Sequence, residues 1–440
     1  MKLSWLAAIA ALGVAKTVEA IGPVTAVGNK FFTADGKQFF VKGIAYQLSP
    51  DDPLIDTEQC KRDVDLMKTL GPNAIRVYHV DPDKNHDGCM KAFNDAGIAA
   101  LIDLDTFDTY IDPVKPAWTQ RMHDRYAEVM DAFIKYDNVL GFFVGNEIIS
   151  TEAHSNAAPF IKAAVRDMKA HRSSKKYREV PIGYSAADIA ELRPMLQDYL
   201  TCGGNSSESV DFFALNSYEW CDPSTYETSG YANLQKQAKD FPVPIFFSET
   251  GCNVPGPRLF DDQLAIFGPQ MINDWSGAIV YEWIQEENRY GLIQYENPTK
   301  EEDVVGGVVR SGTPKPVQPD FDNLKERWEQ VGQPTGVVKD KYDAKHVSAR
   351  PCPEATQGGW LVKGNVKLPS VGETFTGTYE SMASATAAPT IASPNDGEGG
   401  TGTAANPARE TQNPAAPTKV VFRGMVAGLV GVMLFFTVWF

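Results

Sequence analysis

Basic charge is scarce in this sequence. Forty-one Lys and Arg stand against 56 Asp and Glu, a formal charge of −15 with no basic run. Nucleic acid and anionic lipid surfaces are therefore excluded as natural partners. Histidine is scarcer still, with six scattered copies and no H-E-x-x-H. None of the six cysteines forms a C-x-x-C pair, so zinc and thioredoxin-like chemistry have no framework here. There is no G-x-S-x-G elbow and no P-loop. The sequence implies no metal and no organic cofactor.

What is present begins at the two ends. Lys2 precedes an apolar run from Leu3 to Val14, and Val18-Glu19-Ala20 supplies small residues at a cleavage point. Residues 1–20 read as a secretory signal peptide. Val420 to Phe440 is apolar apart from Arg423, and is preceded by the small, polar stretch GGTGTAANPARETQNPAAPTK. That order matches a GPI-anchor signal, with attachment expected between Gly399 and Ala408. A spanning helix fits less well, because no basic residues follow Phe440. From Gly372 to Lys419 the chain is mainly Ala, Thr, Pro, Gly, Ser, Asn and Glu, too poor in apolar surface to fold, and reads as a disordered stalk. An even cysteine count suits an oxidising compartment and three disulfides, with fifteen pairings open in principle. Asn205-Ser206-Ser207 is a glycosylation sequon. The expected location is the outer face of the cell membrane and the cell wall.

Between the ends, eight short apolar runs alternate with amphipathic stretches. The runs are FFVKGIAYQ from Phe39, AIRVYHV from Ala74, AALIDLD from Ala99, VLGFFVGNE from Val139, PIGYSAAD from Pro181, FFALNSYEW from Phe212, PIFFSET from Pro244 and GAIVYEWIQ from Gly277. A helix is expected from Thr57 to Leu70, stopped by Gly71-Pro72, and another over Arg121 to Tyr136 with Met122, Tyr126, Val129, Met130 and Phe133 on one face. Eight such units predict an α/β fold, a (β/α)8 TIM-type barrel over residues 21–340, with an extension over 341–371 packed on it.

In such barrels the chemistry sits where the strands end. Two of these runs end in glutamates: Glu147 after Asn146, and Glu249 after Ser248. Retaining glycosidases need two carboxyls about 5–5.5 Å apart, one protonated to serve the leaving oxygen, one ionised to attack the anomeric carbon. An amide beside the first, Asn146, suits the sugar 2-hydroxyl. A lone glutamate at a strand end is usually an exposed loop acid; the pair, with its neighbouring amide, reverses that reading. Aromatics at or after strand ends suit pyranose faces: Tyr46, Tyr78, Tyr218, Trp220, Tyr281, Trp283 and Tyr290. Tyr218 and Tyr281 are placed in the cleft, while Trp283 reads equally as barrel core.

The motifs VGNE (Val144–Glu147), NSYEWC (Asn216–Cys221) and SETGC (Ser248–Cys252) resemble the fungal GPI-anchored β-1,3-glucanosyltransferases of glycoside hydrolase family 72. So do FFVKGIAYQ, NAIRVYHV and YEWIQEEN, over about residues 22 to 330. The resemblance implies that Glu147 is the acid/base and Glu249 the nucleophile, and that Tyr78, Asn146, Asp188, Arg193 and Tyr281 contact glucan. It also implies the pairings Cys60–Cys89, Cys221–Cys252 and Cys202–Cys352. Nothing cysteine-rich follows Cys352, so the chain resembles the branch without a cysteine-rich carbohydrate-binding module. The implied reaction cleaves β-1,3-glucan internally and transfers the new end to a second glucan chain. A hydrolytic endo-β-1,3-glucanase, or a non-catalytic wall-glycan binder, is the alternative.

Overall fold

A computed structural model describes residues 20–377, apart from 50, 51, 299, 301, 302 and 357. The signal peptide before Ala20, the stalk beyond residue 377, the GPI attachment region and the apolar tail lie outside the described residues.

The eight runs form eight parallel strands: β1 (Val41–Ala45), β2 (Ala74–Val77), β3 (Ala99–Asp103), β4 (Val139–Asn146), β5 (Ile182–Ala187), β6 (Phe212–Ser217), β7 (Ile245–Thr250) and β8 (Trp275–Val280). They pair in that order, and β8 returns to β1 through Gly277↔Val41 to Val280↔Ile44, closing a barrel. Gly277 permits the closure. Its φ is +115°, and a Cβ there would meet the Val41 carbonyl oxygen at 2.0 Å. Every strand residue is buried except Asn146, which is half-buried. Burial on both faces is why the runs show no polar alternation.

Helices α1 (Thr57–Leu70), α2 (Asp87–Asp95), α3 (Gln120–Phe133), α4 (Ala158–Ser174), α5 (Arg193–Thr201), α6 (Tyr231–Ala238), α7 (Asp261–Ile266) and α8 (Asp320–Val331) accompany the strands. The first starts where Asp56 accepts from the amides of Glu58 and Gln59, and stops at Gly71, whose φ of +88° lets its N–H reach Met67 O. In α3 all five expected apolar residues are buried, below a Thr119 cap.

The bottom of the barrel is filled by rings. Phe212 packs edge-on to Phe143 at 5.0 Å, and Phe31, from the antiparallel N-terminal strands Lys30–Phe32 and Thr25–Val27, packs on Phe212 and Phe246. The polar groups that converge in the barrel, Arg76 and its partners, lie towards the other end, where the strands terminate.

After α8 the chain wraps the barrel. Cys352 is bonded to Cys202 beyond α5, Trp360 is fully buried beside Tyr199, and Glu373–Thr374 pairs antiparallel with Ala117–Trp118. The compositional boundary at 371/372 falls inside this strap. Cys60–Cys89 joins α1 to α2, and Cys221–Cys252 joins the loops after β6 and β7. No helix among the described residues is long and apolar enough to cross a membrane.

Candidate active site

Strand ends β2 to β7 converge on one buried cation. Arg76 projects from β2 into the barrel and is inaccessible to solvent. Its Nη2 donates to Asp103 Oδ2 and to Asn146 Oδ1, each at 2.9 Å, and its Nε to Asp103 Oδ1 at 3.2 Å. Its Nη1 reaches Ser185 Oγ at 3.2 Å, Asn216 Oδ1 and Ser248 O at 3.4 Å, and Glu249 Oε1 at 3.5 Å. Burial works against the charge, but Asp103, Tyr78 and Glu249 around it hold the guanidinium in its charged form.

Glu249 lies on β7, and both its oxygens are engaged by phenols: Tyr78 donates to Oε1 at 2.9 Å and Tyr218 to Oε2 at 2.6 Å. Both phenols are pushed well above their ordinary pKa, by burial first and by the Glu249 charge second, so they remain donors. Glu147 follows β4 with φ +50°. Its N–H is held by Ser185 O, and its Oε1 accepts from Asn216 Nδ2 at 2.9 Å. Asn216 also donates to Asn146 Oδ1 at 3.0 Å and accepts from Ser248 Oγ at 2.7 Å.

Both carboxyls are pushed up, by burial above all. For Glu249 the value is about 7: Arg76 opposes burial, the Glu147 charge adds to it, and the two phenols oppose it. Asn216 and Arg76 oppose the rise at Glu147. The charge on one disfavours the charge on the other, so their ionisations are linked. Two phenol donors and a guanidinium at Glu249 favour the anion there, whereas Glu147 has one amide donor.

The tyrosines form one wall. The rings of Tyr218, Tyr281 and Tyr290 stand edge to face, with centroids 5.5 to 6.2 Å apart. Two aromatics grouped from sequence with the cleft rings, Tyr46 and Trp220, are elsewhere, and Trp283, left open between cleft and core, is core. Tyr46 is buried with its hydroxyl on Asp63 of α1, Trp283 is buried with Nε1 on Tyr295, and Trp220 is buried with Nε1 on Asp222. Each ring finds a polar partner inside the protein, which satisfies it as core.

Asp188 and Arg193 form a buried ion pair just beyond β5. Ser217 Oγ donates to Asp188 at 2.7 Å, and Arg193 Nε donates to Gln237 at 2.8 Å. Asn205 is exposed, with Oδ1 accepting from the backbone and hydroxyl of Ser207. No group of His, Cys, Asp and Glu among the described residues could hold a metal.

Arg76, Asp103, Asn216, Ser185 and Ser248 escaped the sequence reading. The signal was present at Arg76, a lone charge inside an apolar strand, and at Asn216, the residue that opens the NSYEWC motif.

A (β/α)8 barrel presenting two buried, differently partnered carboxyls at the ends of β4 and β7, beside a wall of tyrosines, has the arrangement of the two-carboxylate glycoside-cleaving barrels. Comparison with known proteins narrows the class. Residues 13–332 match the Glyco_hydro_72 family, described as glucanosyltransferase, and the chain belongs to that family.

It is 38% identical over 364 residues to the Saccharomyces cerevisiae 1,3-beta-glucanosyltransferase GAS2, covering 78% of this chain and 62% of that protein. It is 39% identical over 389 residues to the Aspergillus fumigatus 1,3-beta-glucanosyltransferase gel1, covering 85% and 81%. The Saccharomyces cerevisiae Gas2p structure, a Glu-to-Gln mutant in complex with laminaritetraose and laminaripentaose, superposes with a TM-score of 0.71 at 37% identity, over 79% of this chain and 74% of that one. The chain spans less than two thirds of the length of several relatives, 61% and 62% for two of them.

Proposed function

We propose that the protein is a retaining β-1,3-glucanosyltransferase acting on the glucan of a cell wall. The observation that carries the reading is the unequal treatment of the two glutamates: Glu249 is held by two phenols and a guanidinium, Glu147 by a single amide.

In the first step the Glu249 carboxylate attacks the anomeric carbon while Glu147 gives its proton to the glycosidic oxygen. The bond breaks, a glucan leaves with its own non-reducing end restored, and a glucosyl ester remains on Glu249. In the second step Glu147, now ionised, takes the proton from the 3-hydroxyl at the non-reducing end of an acceptor glucan. That oxygen attacks the anomeric carbon, the bond from that carbon to Glu249 breaks, and the Glu249 carboxylate is freed. Both hydrogen bonds recorded for Asn146 use its carbonyl oxygen, which leaves Nδ2 to donate to the sugar 2-hydroxyl. Tyr78, Tyr218 and Tyr281 contact the reacting sugar, and the Asp188–Arg193 pair holds the turn after β5 in place beside it.

GPI anchoring through the apolar tail, a glycan at Asn205 and residence at the cell surface and wall complete the proposal, resting on the sequence signals and on the exposure of Asn205. Transfer and hydrolysis share the first step and differ in whether sugar or water takes the ester. Incubation with a reduced laminari-oligosaccharide and mass analysis of the products decides between them. Products longer than the donor are expected; only shorter ones at high acceptor concentration would make the protein a hydrolase.

A further inference from the structure

The stretch YEWIQEEN places three carboxyls after β8 that the proposed reaction does not use. Glu287 is exposed, and Glu286 is paired with Arg310 at 2.8 Å. Glu282 is different. It is 5% exposed, and no lysine or arginine among the described residues forms an ion pair with it.

Its contacts all lead to the tyrosine wall. Oε1 accepts from Asn288 Nδ2 at 2.8 Å. Asn288 is held in turn: its carbonyl accepts from Asn253 Nδ2 at 2.6 Å, and its Oδ1 from the Tyr290 N–H at 3.2 Å. The Glu282 N–H donates to Tyr290 O at 3.2 Å, and its carbonyl accepts from Leu292 N at 3.0 Å. Glu282 also adjoins Tyr281 in the chain, and burial first, then the Glu282 charge, raise the Tyr281 phenol. Tyr281 and Tyr290 both pack on Tyr218, whose hydroxyl holds Glu249.

We infer that Glu282 is a positioning residue, which fixes Tyr281 on one side and the Asn288–Tyr290 loop on the other so that the tyrosine wall presents one geometry to the glucan beside Glu249. The inference rests on the glucan-binding reading of that wall. The titratable groups facing Glu282 are Glu286, Glu249 and Tyr281. The nearby cations are engaged elsewhere: Arg310 with Glu286, Arg76 with Asp103 and Glu249, and Arg258 with Tyr290 O. Burial first, then the Glu286 charge, push Glu282 up to about 8. It therefore works as a neutral acid, able to donate and accept at once. Ionisation would add a negative charge near Glu249 and take away its donor.

The test separates positioning from chemistry by measuring binding without turnover. In the full-length Glu147→Gln protein, laminaripentaose binding is followed by calorimetry across the pH range. The parent is expected to bind, and to weaken as pH rises through about 8. Adding Glu282→Gln, which keeps a donor and an acceptor, should stay within about threefold of the parent at about pH 6 and lose the weakening above it. Adding Glu282→Ala should weaken binding about tenfold or more at every pH, since Asn288 loses a buried partner.

An alanine variant that binds as tightly as the parent, or a glutamine variant that keeps the parent's pH profile, overturns the inference. If the alanine variant does not fold, as read by thermal melting, the glutamine profile alone decides. A parent that does not bind laminaripentaose at all overturns the glucan reading, and this inference with it.

Discussion

Asn216 hydrogen-bonds Glu147: its Nδ2 lies 2.9 Å from Glu147 Oε1, and its own Oδ1 is fixed by Ser248 Oγ at 2.7 Å. The amide can only donate to Glu147, so it favours the ionised form and opposes the rise that burial imposes. Asn216→Ala should raise the Glu147 pKa and move the alkaline limb of kcat/KM to higher pH. Loss of the aligned acid should also lower kcat by about 10- to 100-fold. A pH–rate profile on laminari-oligosaccharide checks both.

The two phenols on Glu249 act on the opposite limb. Each donates to the anion and holds it down. Tyr78→Phe or Tyr218→Phe should therefore raise the Glu249 pKa, so that the acid limb moves to higher pH. A hydrogen bond to a charged group contributes about 1.5–3 kcal/mol, and kcat/KM should fall by about 10- to 100-fold for each. Turnover and a pH profile like the parent's would show that the phenols do not hold the Glu249 anion.

Glu147→Gln and Glu249→Gln should each lower turnover by about 10³-fold or more while leaving the thermal transition in place. Near-normal turnover by either folded variant would remove the two-carboxylate assignment.

Stability should fall as pH rises. Glu249 is raised to about 7, Glu282 to about 8, and Asp63 and Asp262 to about 6, each by burial first. Groups raised in the folded state bind protons that the unfolded chain has already released. Their stabilising contribution is complete below the ordinary carboxyl range of about 4 and is lost as pH passes through 6 to 8. Tm measured across that window should decline; a rise would contradict the burial of these groups.

Cys202 and Cys352 are 150 positions apart. Cross-linking so long a loop restricts the unfolded chain by about 4–5 kcal/mol in the chain-entropy account. Cys202→Ser with Cys352→Ser should lower Tm more than removal of either short-loop disulfide and expose residues 353–377 to proteolysis. Non-reducing peptide mapping should recover all three pairs.

The barrel was legible from sequence because burial on both faces writes itself as unbroken apolar runs, and because α1 and α3 carry their caps and apolar faces in plain order. The two glutamates and Asn146 were legible because they end those runs. Asn216 and Arg76 were not, since their importance lies in partners contributed by other strands, up to 172 positions away. Tyr46 misled for a similar reason: Asp63, which satisfies it inside the protein, is contributed by α1. The strap through Glu373–Thr374 was hidden by a composition that carries little apolar surface.

Arg76 can also be seen as a proofreader of assembly. From β2 it takes an acceptor from each of β3, β4, β5, β6 and β7. Side chains alternate between lumen and exterior along a strand, so a slip of one residue in any of β3 to β6, which offer side-chain acceptors, turns its polar group away. The guanidinium would then be buried and under-partnered, at several kcal/mol. Mispaired closures of the barrel are therefore penalised by the same residue that pairs with Glu249, so correct register and the arrangement around that carboxyl are secured together.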